Sequence, residues 1–180
     1  MKSTFVSLFL FFLNVSFAQT LTSVSTRYDD SFAEWVLYTD IDGETGTLEA
    51  PWHLQNQWTN WNFGIRHKNG TIRSVWQDHA DEWELRGDGK TVTMRQIWKN
   101  DVREWRIQDG NITLDFKMKN RDDPYEWIME DKTHGIFYVV SDQPNDARDW
   151  TIQDDTDVSV SFPMRLAMLF VALNVAAPKY

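Results

Sequence analysis

The sequence predicts an all-β fold: an antiparallel barrel of about twelve short strands, built from hairpin repeats and enclosing an apolar C-terminal helix. Three observations lead there. Trp61, Trp83, Trp105, Trp127 and Trp150 recur at intervals of 22, 22, 22 and 23 residues, inside similar flanks such as Glu82-Trp83-Glu84-Leu85 and Glu104-Trp105-Arg106-Ile107. A turn signal and a second apolar run follow each of them. Near the C-terminus, the segment from Met164 to Ala177 is apolar apart from Arg165 and Asn174.

The chain opens with an address. Residues 1–18 read as a secretory signal peptide: Lys2 supplies the positive start, Phe5 to Phe17 the apolar stretch, and Ser16 and Ala18 the small residues before a cut at Gln19. The apolar stretch is shorter than the roughly 20 residues of a spanning helix. Cleavage leaves residues 19–180 and, with Lys2 gone, moves the net charge from −9 to −10. Residues 19–27 are expected to be a linker, and residues 28–180 one barrel domain.

A first hairpin runs from Trp35 to Thr39, through Asp42-Gly43, and on to Thr45–Glu49. Later turns are expected at Lys68-Asn69-Gly70, Gly87-Asp88-Gly89, Asp109-Gly110, Thr133-His134-Gly135 and Asp154-Asp155, where Gly, Asn and Asp supply positive φ. The returning strands are Ile72 to Trp76, Val92 to Trp98, Ile112 to Met118, Ile136 to Val140 and Val158 to Phe162. In Ile112-Thr113-Leu114-Asp115-Phe116-Lys117-Met118 every second residue is apolar, so one face of that strand is buried.

Pro163 suits a helix start and Pro178 stops the helix. At about 14 residues and ~1.5 Å each, the helix is too short to cross a bilayer. A helix apolar on every face must be buried. Eight strands fill a barrel with their own side chains, so a barrel of about twelve leaves room for this helix along its axis.

Composition sets limits on function. A chain of 180 residues that is 42% hydrophobic and 25% charged is a globular protein, and its 13 Gly plus Pro residues exclude low-complexity material. With no cysteine it has neither disulfides nor thiolate metal sites. Its negative charge argues against nucleic acid as a partner. Asn69-Gly70-Thr71 and Asn111-Ile112-Thr113 are glycosylation sequons, meaningful in a eukaryotic secretory route.

The C-terminal segment Asp155-Thr156-Asp157-Val158-Ser159-Val160-Ser161-Phe162-Pro163, followed by the apolar helix, resembles the tubby-like superfamily and most closely its phospholipid scramblases. Those proteins carry Asp-x-Asp, a strand, Phe-Pro and then the helix. The superfamily, which includes the plant LURP-one-like proteins, has a twelve-stranded barrel around such a helix. The resemblance in architecture would span residues 28 to 180. It implies a calcium-binding role for Asp155 and Asp157, beside Asp154, since calcium takes several hard oxygen ligands. A plain polar turn is the competing reading. The chain departs from those relatives by being exported, acidic and free of cysteine, and it lacks the basic cluster with which tubby proteins hold phosphoinositides.

No nucleophile elbow, phosphate loop, dinucleotide fingerprint or His-Glu-x-x-His motif is present, so no catalytic residue is assigned. Asp78-His79-Ala80-Asp81-Glu82 has metal-ligand and acid/base residue types but reads as a solvated loop. The repeated tryptophans are expected in the core; Trp52, Trp58 and Trp61 are the candidates for a ligand groove. The expectation is an exported, secreted or periplasmic, non-catalytic binding or scaffold module, with a lipid or membrane ligand. A Trp-rich carbohydrate-binding protein is the alternative, with a glycoside hydrolase a third.

Overall fold

A computed structural model describes residues 20–76 and 79–179. Twelve antiparallel strands form one closed barrel, with α1 (Phe162–Ala176) after the last of them. The strands are β1 (Leu21–Tyr28), β2 (Ser31–Thr39), β3 (Thr45–Glu49), β4 (Asn60–Ile65), β5 (Lys68–Ser74) and β6 (Glu82–Gly87). They continue with β7 (Lys90–Gln96), β8 (Glu104–Asp109), β9 (Ile112–Met118), β10 (Glu126–Asp131), β11 (Gly135–Gln143) and β12 (Asp146–Thr156). Each strand pairs with its chain neighbours, and β1 closes the ring against β12 through Val24↔Trp150. The all-β barrel with an enclosed C-terminal helix is therefore as the sequence predicts. The signal-peptide segment lies outside the described residues.

Every residue of α1 from Phe162 to Asn174 is buried. Phe170 stands edge-on to Trp61 and Trp83, with ring centroids 5.7 and 5.0 Å apart. The helix thus fills the lumen that so many strands leave open.

The repeated tryptophans share one geometry. Each sits on the inner face and donates its indole N–H to the carbonyl three residues earlier. The partners are Trp61 to Trp58 (3.0 Å), Trp83 to Ala80 (3.1 Å), Trp105 to Val102 (2.8 Å), Trp127 to Pro124 (2.7 Å) and Trp150 to Ala147 (2.7 Å). Trp35 makes the same bond to Phe32 at 2.9 Å and is the sixth member. Its interval of 26 residues to Trp61 hides it, because the β3–β4 loop carries an extra 3-10 turn, His53–Gln55. A buried indole needs a partner for its one N–H; the loop leading into the strand supplies it for Trp61, Trp83, Trp105 and Trp127, and the start of the strand itself for Trp35 and Trp150.

Three expectations are corrected. Residues 21–27, expected in a linker, belong to β1. The turn expected at Lys68-Asn69-Gly70 falls earlier, at Arg66-His67, where Arg66 adopts φ 52°, and residues 68–74 are strand. Asp154-Asp155 is no turn: β12 runs through it to Thr156, and the expected strand Val158–Phe162 is instead the turn into α1 and, at Phe162, the first residue of that helix. The partner of the Trp150 strand across that edge is β1.

The inner face also explains two strand glycines. Gly70 and Gly87 are cross-strand partners, and the Phe63 ring lies over both. A Cβ on Gly70 would stand 2.1 Å from the Arg86 carbonyl and 2.6 Å from Phe63. Gly70→Ala is expected to cost about 1–3 kcal/mol by overpacking, read from urea denaturation. Gly64→Ala is the control: its Cβ would meet only Thr47 Oγ1 at 3.8 Å, so stability should hold or rise.

Candidate functional site

Antiparallel connection divides the loops between the two ends of the barrel. The end where α1 begins carries the compact turns at 40–44, 66–67, 88–89, 110–111 and 132–134. The end where α1 finishes carries the longer loops 50–59, 75–81, 97–103 and 119–125. Trp52, Leu54, Val75, Trp76, Trp98 and Val102 are all exposed on that second end, which we call the mouth.

Trp76 and Trp98 occupy equivalent places in successive repeats, just past the ends of β5 and β7, and are 57% and 62% exposed. Each indole N–H is held by a glutamate six residues on: Trp76 by Glu82 Oε2 at 3.1 Å, Trp98 by Glu104 Oε2 at 3.0 Å. In the next repeat Asn120 takes that place and donates to Glu126 Oε2 at 2.6 Å. Fixing the ring edge on a carboxylate orients the ring while its remaining surface meets water.

The Trp98 loop is clipped internally. Arg103 donates through Nε and a terminal nitrogen to Asp101, at 2.7 and 2.6 Å, and through its backbone N–H at 3.0 Å. The Arg103 guanidinium holds the Asp101 carboxyl down at about 2. A surface cleft of about 530 Å³ lies beside it, lined by Trp98, Asp101, Arg103, Glu104, Lys117 and Lys119 among others. Lys119 is fixed by Glu126 at 2.8 Å, and the Glu126 bond holds its ammonium above the usual lysine range. A second cavity, of about 430 Å³, opens at the C-terminal end of α1 and is lined by His79 and Asp81. Asp78 lies outside the described residues.

The three tryptophans expected at a groove separate. Trp61 is 4% exposed and belongs to the core. Trp58 is partly buried, packed at 6.0 Å against Trp61. Trp52 alone of the three is exposed, at 51%. Trp76 and Trp98, expected as strand ends, are the mouth residues that reasoning from sequence missed. Their available signal was the glutamate six residues after each.

The acidic segment does not converge on one point. Asp154 turns into the barrel, where its Oδ2 lies 3.0 Å from Arg165 Nε and both side chains are 1% exposed. Asp155 is exposed and accepts from Gln153 Nε2 at 2.5 Å. Asp157 accepts from the backbone N–H and hydroxyl of Ser159, bonds that hold its carboxyl below the usual range. Among the described residues no group of three or more His, Asp or Glu side chains is placed to hold a metal ion. No described helix is long and apolar enough to cross a membrane. Compared with protein-family models, curated proteins and solved structures, the chain matches none.

Proposed function

We propose that this is an exported, non-catalytic glycan-binding module that holds its ligand on the mouth of the barrel. One observation carries the reading: of the tryptophans repeated along the barrel, six are buried with their N–H on the backbone carbonyl three residues earlier, whereas Trp76 and Trp98 are exposed with their N–H on a glutamate. A sugar ring presents C–H groups on one face and hydroxyls at its edge. An indole face beside a carboxylate complements both, burying apolar surface and accepting hydroxyl hydrogen bonds.

Lipid is the second reading. Exposed Trp also suits a membrane interface, but docking on anionic lipid draws on clustered Lys and Arg, and this chain is net negative. The test is retention of the purified protein on cellulose, chitin, xylan and mannan, beside co-sedimentation with neutral and anionic vesicles, with and without calcium. Trp76→Ala and Trp98→Ala should each weaken polysaccharide retention about tenfold or more, as anchor residues do. Both should leave stability within about 0.5 kcal/mol, because the side chains are exposed. Vesicle binding that depends on these tryptophans, with no polysaccharide retained, replaces the glycan reading by the lipid one.

A further inference from the structure

Buried polar atoms normally have partners, because leaving one unpaired costs about 1–3 kcal/mol. Three fully buried side-chain oxygens among the described residues break that rule without a neighbouring ion pair to account for it: Asp81 Oδ1, Gln96 Oε1 and Asn174 Oδ1. All three residues line the 430 Å³ cavity at the C-terminal end of α1. Asn174 is 8% exposed and is one of only two polar residues in the helix. Three unsatisfied acceptors on one cavity call for a ligand that donates hydrogen bonds.

Size and charge narrow the choice. A water molecule takes about 30 Å³, whereas about 300 Å³ and upwards is the range of small-molecule sites. A divalent cation fits poorly: calcium takes six to eight oxygens, and here the lining offers one carboxylate and three amides, with the Lys179 ammonium beside them. Hydroxyl groups fit well. Each can donate to one of the orphaned oxygens and accept from the Lys179 ammonium. Val102, Trp105 and Val175 give the same cavity apolar lining.

Position supplies the rest. Asp81 ends the loop that carries Trp76, and Val102 stands in the loop that carries Trp98. The end of the Trp76 loop is tied to the end of β7, from which the Trp98 loop springs, where the Gln96 N–H donates to the Asp81 carbonyl at 2.9 Å. The cavity therefore lies between the two loops that carry the exposed tryptophans. We propose that it seats the uncharged terminal sugar residue of a glycan chain whose following residues lie on Trp76 and Trp98. This inference rests on the glycan-binding reading and adds to it: the module recognises a chain end.

The purified protein is titrated with glucose, galactose, mannose, xylose and N-acetylglucosamine, following Tm and the fluorescence of tryptophan, of which Trp105 lines the site. At least one sugar should raise Tm, saturate, and compete with polysaccharide retention. Gln96→Leu and Asn174→Leu should weaken that sugar about tenfold, by the loss of one hydrogen bond each. Because these changes remove unpartnered oxygens, the free variants should melt no lower than wild type, which separates lost binding from lost folding. Asp81→Asn, nearly isosteric, is the third variant and should also weaken it. If no sugar shifts Tm, or the shift survives all three changes, the terminal-residue site is overturned; Trp-dependent polysaccharide retention would then still support the mouth reading. A Tm rise with calcium alone, abolished in Asp81→Asn, overturns it in favour of a metal site. Sugar saturation with retention indifferent to Trp76→Ala and Trp98→Ala supports the cavity and overturns the role of the tryptophans.

Discussion

Arg165→Met is expected to destabilise the protein by about 3–5 kcal/mol, the cost of stranding a buried charge without its partner. Arg165 lies in the first turn of α1, where the helix dipole disfavours a cation, and no acidic residue stands in that turn. Its compensation comes from the strand before. Nε lies 3.0 Å from Asp154 Oδ2 and donates to Thr156 Oγ1 at 2.8 Å, while a terminal nitrogen donates to the Asp157 carbonyl at 3.2 Å. The Thr156 hydroxyl in turn donates to Asp154 Oδ1 at 2.6 Å. The guanidinium thus ties the start of the helix to the end of β12 and fixes the turn by which the chain enters the lumen. Removing both charges in Arg165→Met/Asp154→Leu should restore most of the loss, since an apolar pair of similar volume replaces the ions. Urea denaturation of both singles and the double closes the cycle. A single-variant loss below about 1 kcal/mol would mean that water reaches the Asp154 carboxylate when Arg165 is gone.

That ion pair also shows where local sequence reasoning stops. Asp154-Asp155 has turn chemistry, and a turn there would make Val158–Phe162 a returning strand. β12 stays paired with β11 through Thr156, and the inward-facing Asp154 is met there by a cation eleven residues later, so neither contact is in the local pattern. β1 escaped notice for a related reason. Leu21-Thr22-Ser23-Val24-Ser25-Thr26-Arg27-Tyr28 has only two buried apolar residues and register shifts at both ends, so its alternation is faint. The Trp period, the Gly89 and Gly110 turns and the apolar helix were legible because each is local: positive φ in a tight turn, alternation on a strand, or apolarity on all faces. At the mouth, Trp76 and Trp98 were visible as residues, but their exposure depends on β5 and β7 ending two residues sooner. Asp81 belonged to a stretch whose chemistry stood out. Gln96 and Asn174 did not, because strand and helix meet only once α1 is threaded through the barrel.

Trp127→Ala should cost about 3–5 kcal/mol, a large share of the 5–15 kcal/mol that holds a typical domain together. The side chain is fully buried and stacked on Phe116, with centroids 5.3 Å apart and planes 23° from parallel. Its replacement by phenylalanine separates two contributions. Trp127→Phe keeps most of the apolar body but removes the N–H that reaches the Pro124 carbonyl at 2.7 Å. The expected loss is about 1–3 kcal/mol for an acceptor left without its donor. The loop that supplies that carbonyl, 119–125, is one of the long loops of the mouth, so the bond couples the core to the end that bears the exposed rings. Because six tryptophans repeat the bond, their phenylalanine variants should form a series of similar costs measured by denaturant unfolding, while Trp98→Phe should be near neutral. If Trp127→Phe were as stable as wild type, the recurring N–H to carbonyl bond would be a by-product of packing. The 22-residue period would then reflect the need for bulk against α1 and nothing about how the loops are held. A loss concentrated in the phenylalanine series would instead make each indole the fastener of the chain segment that leads up to it.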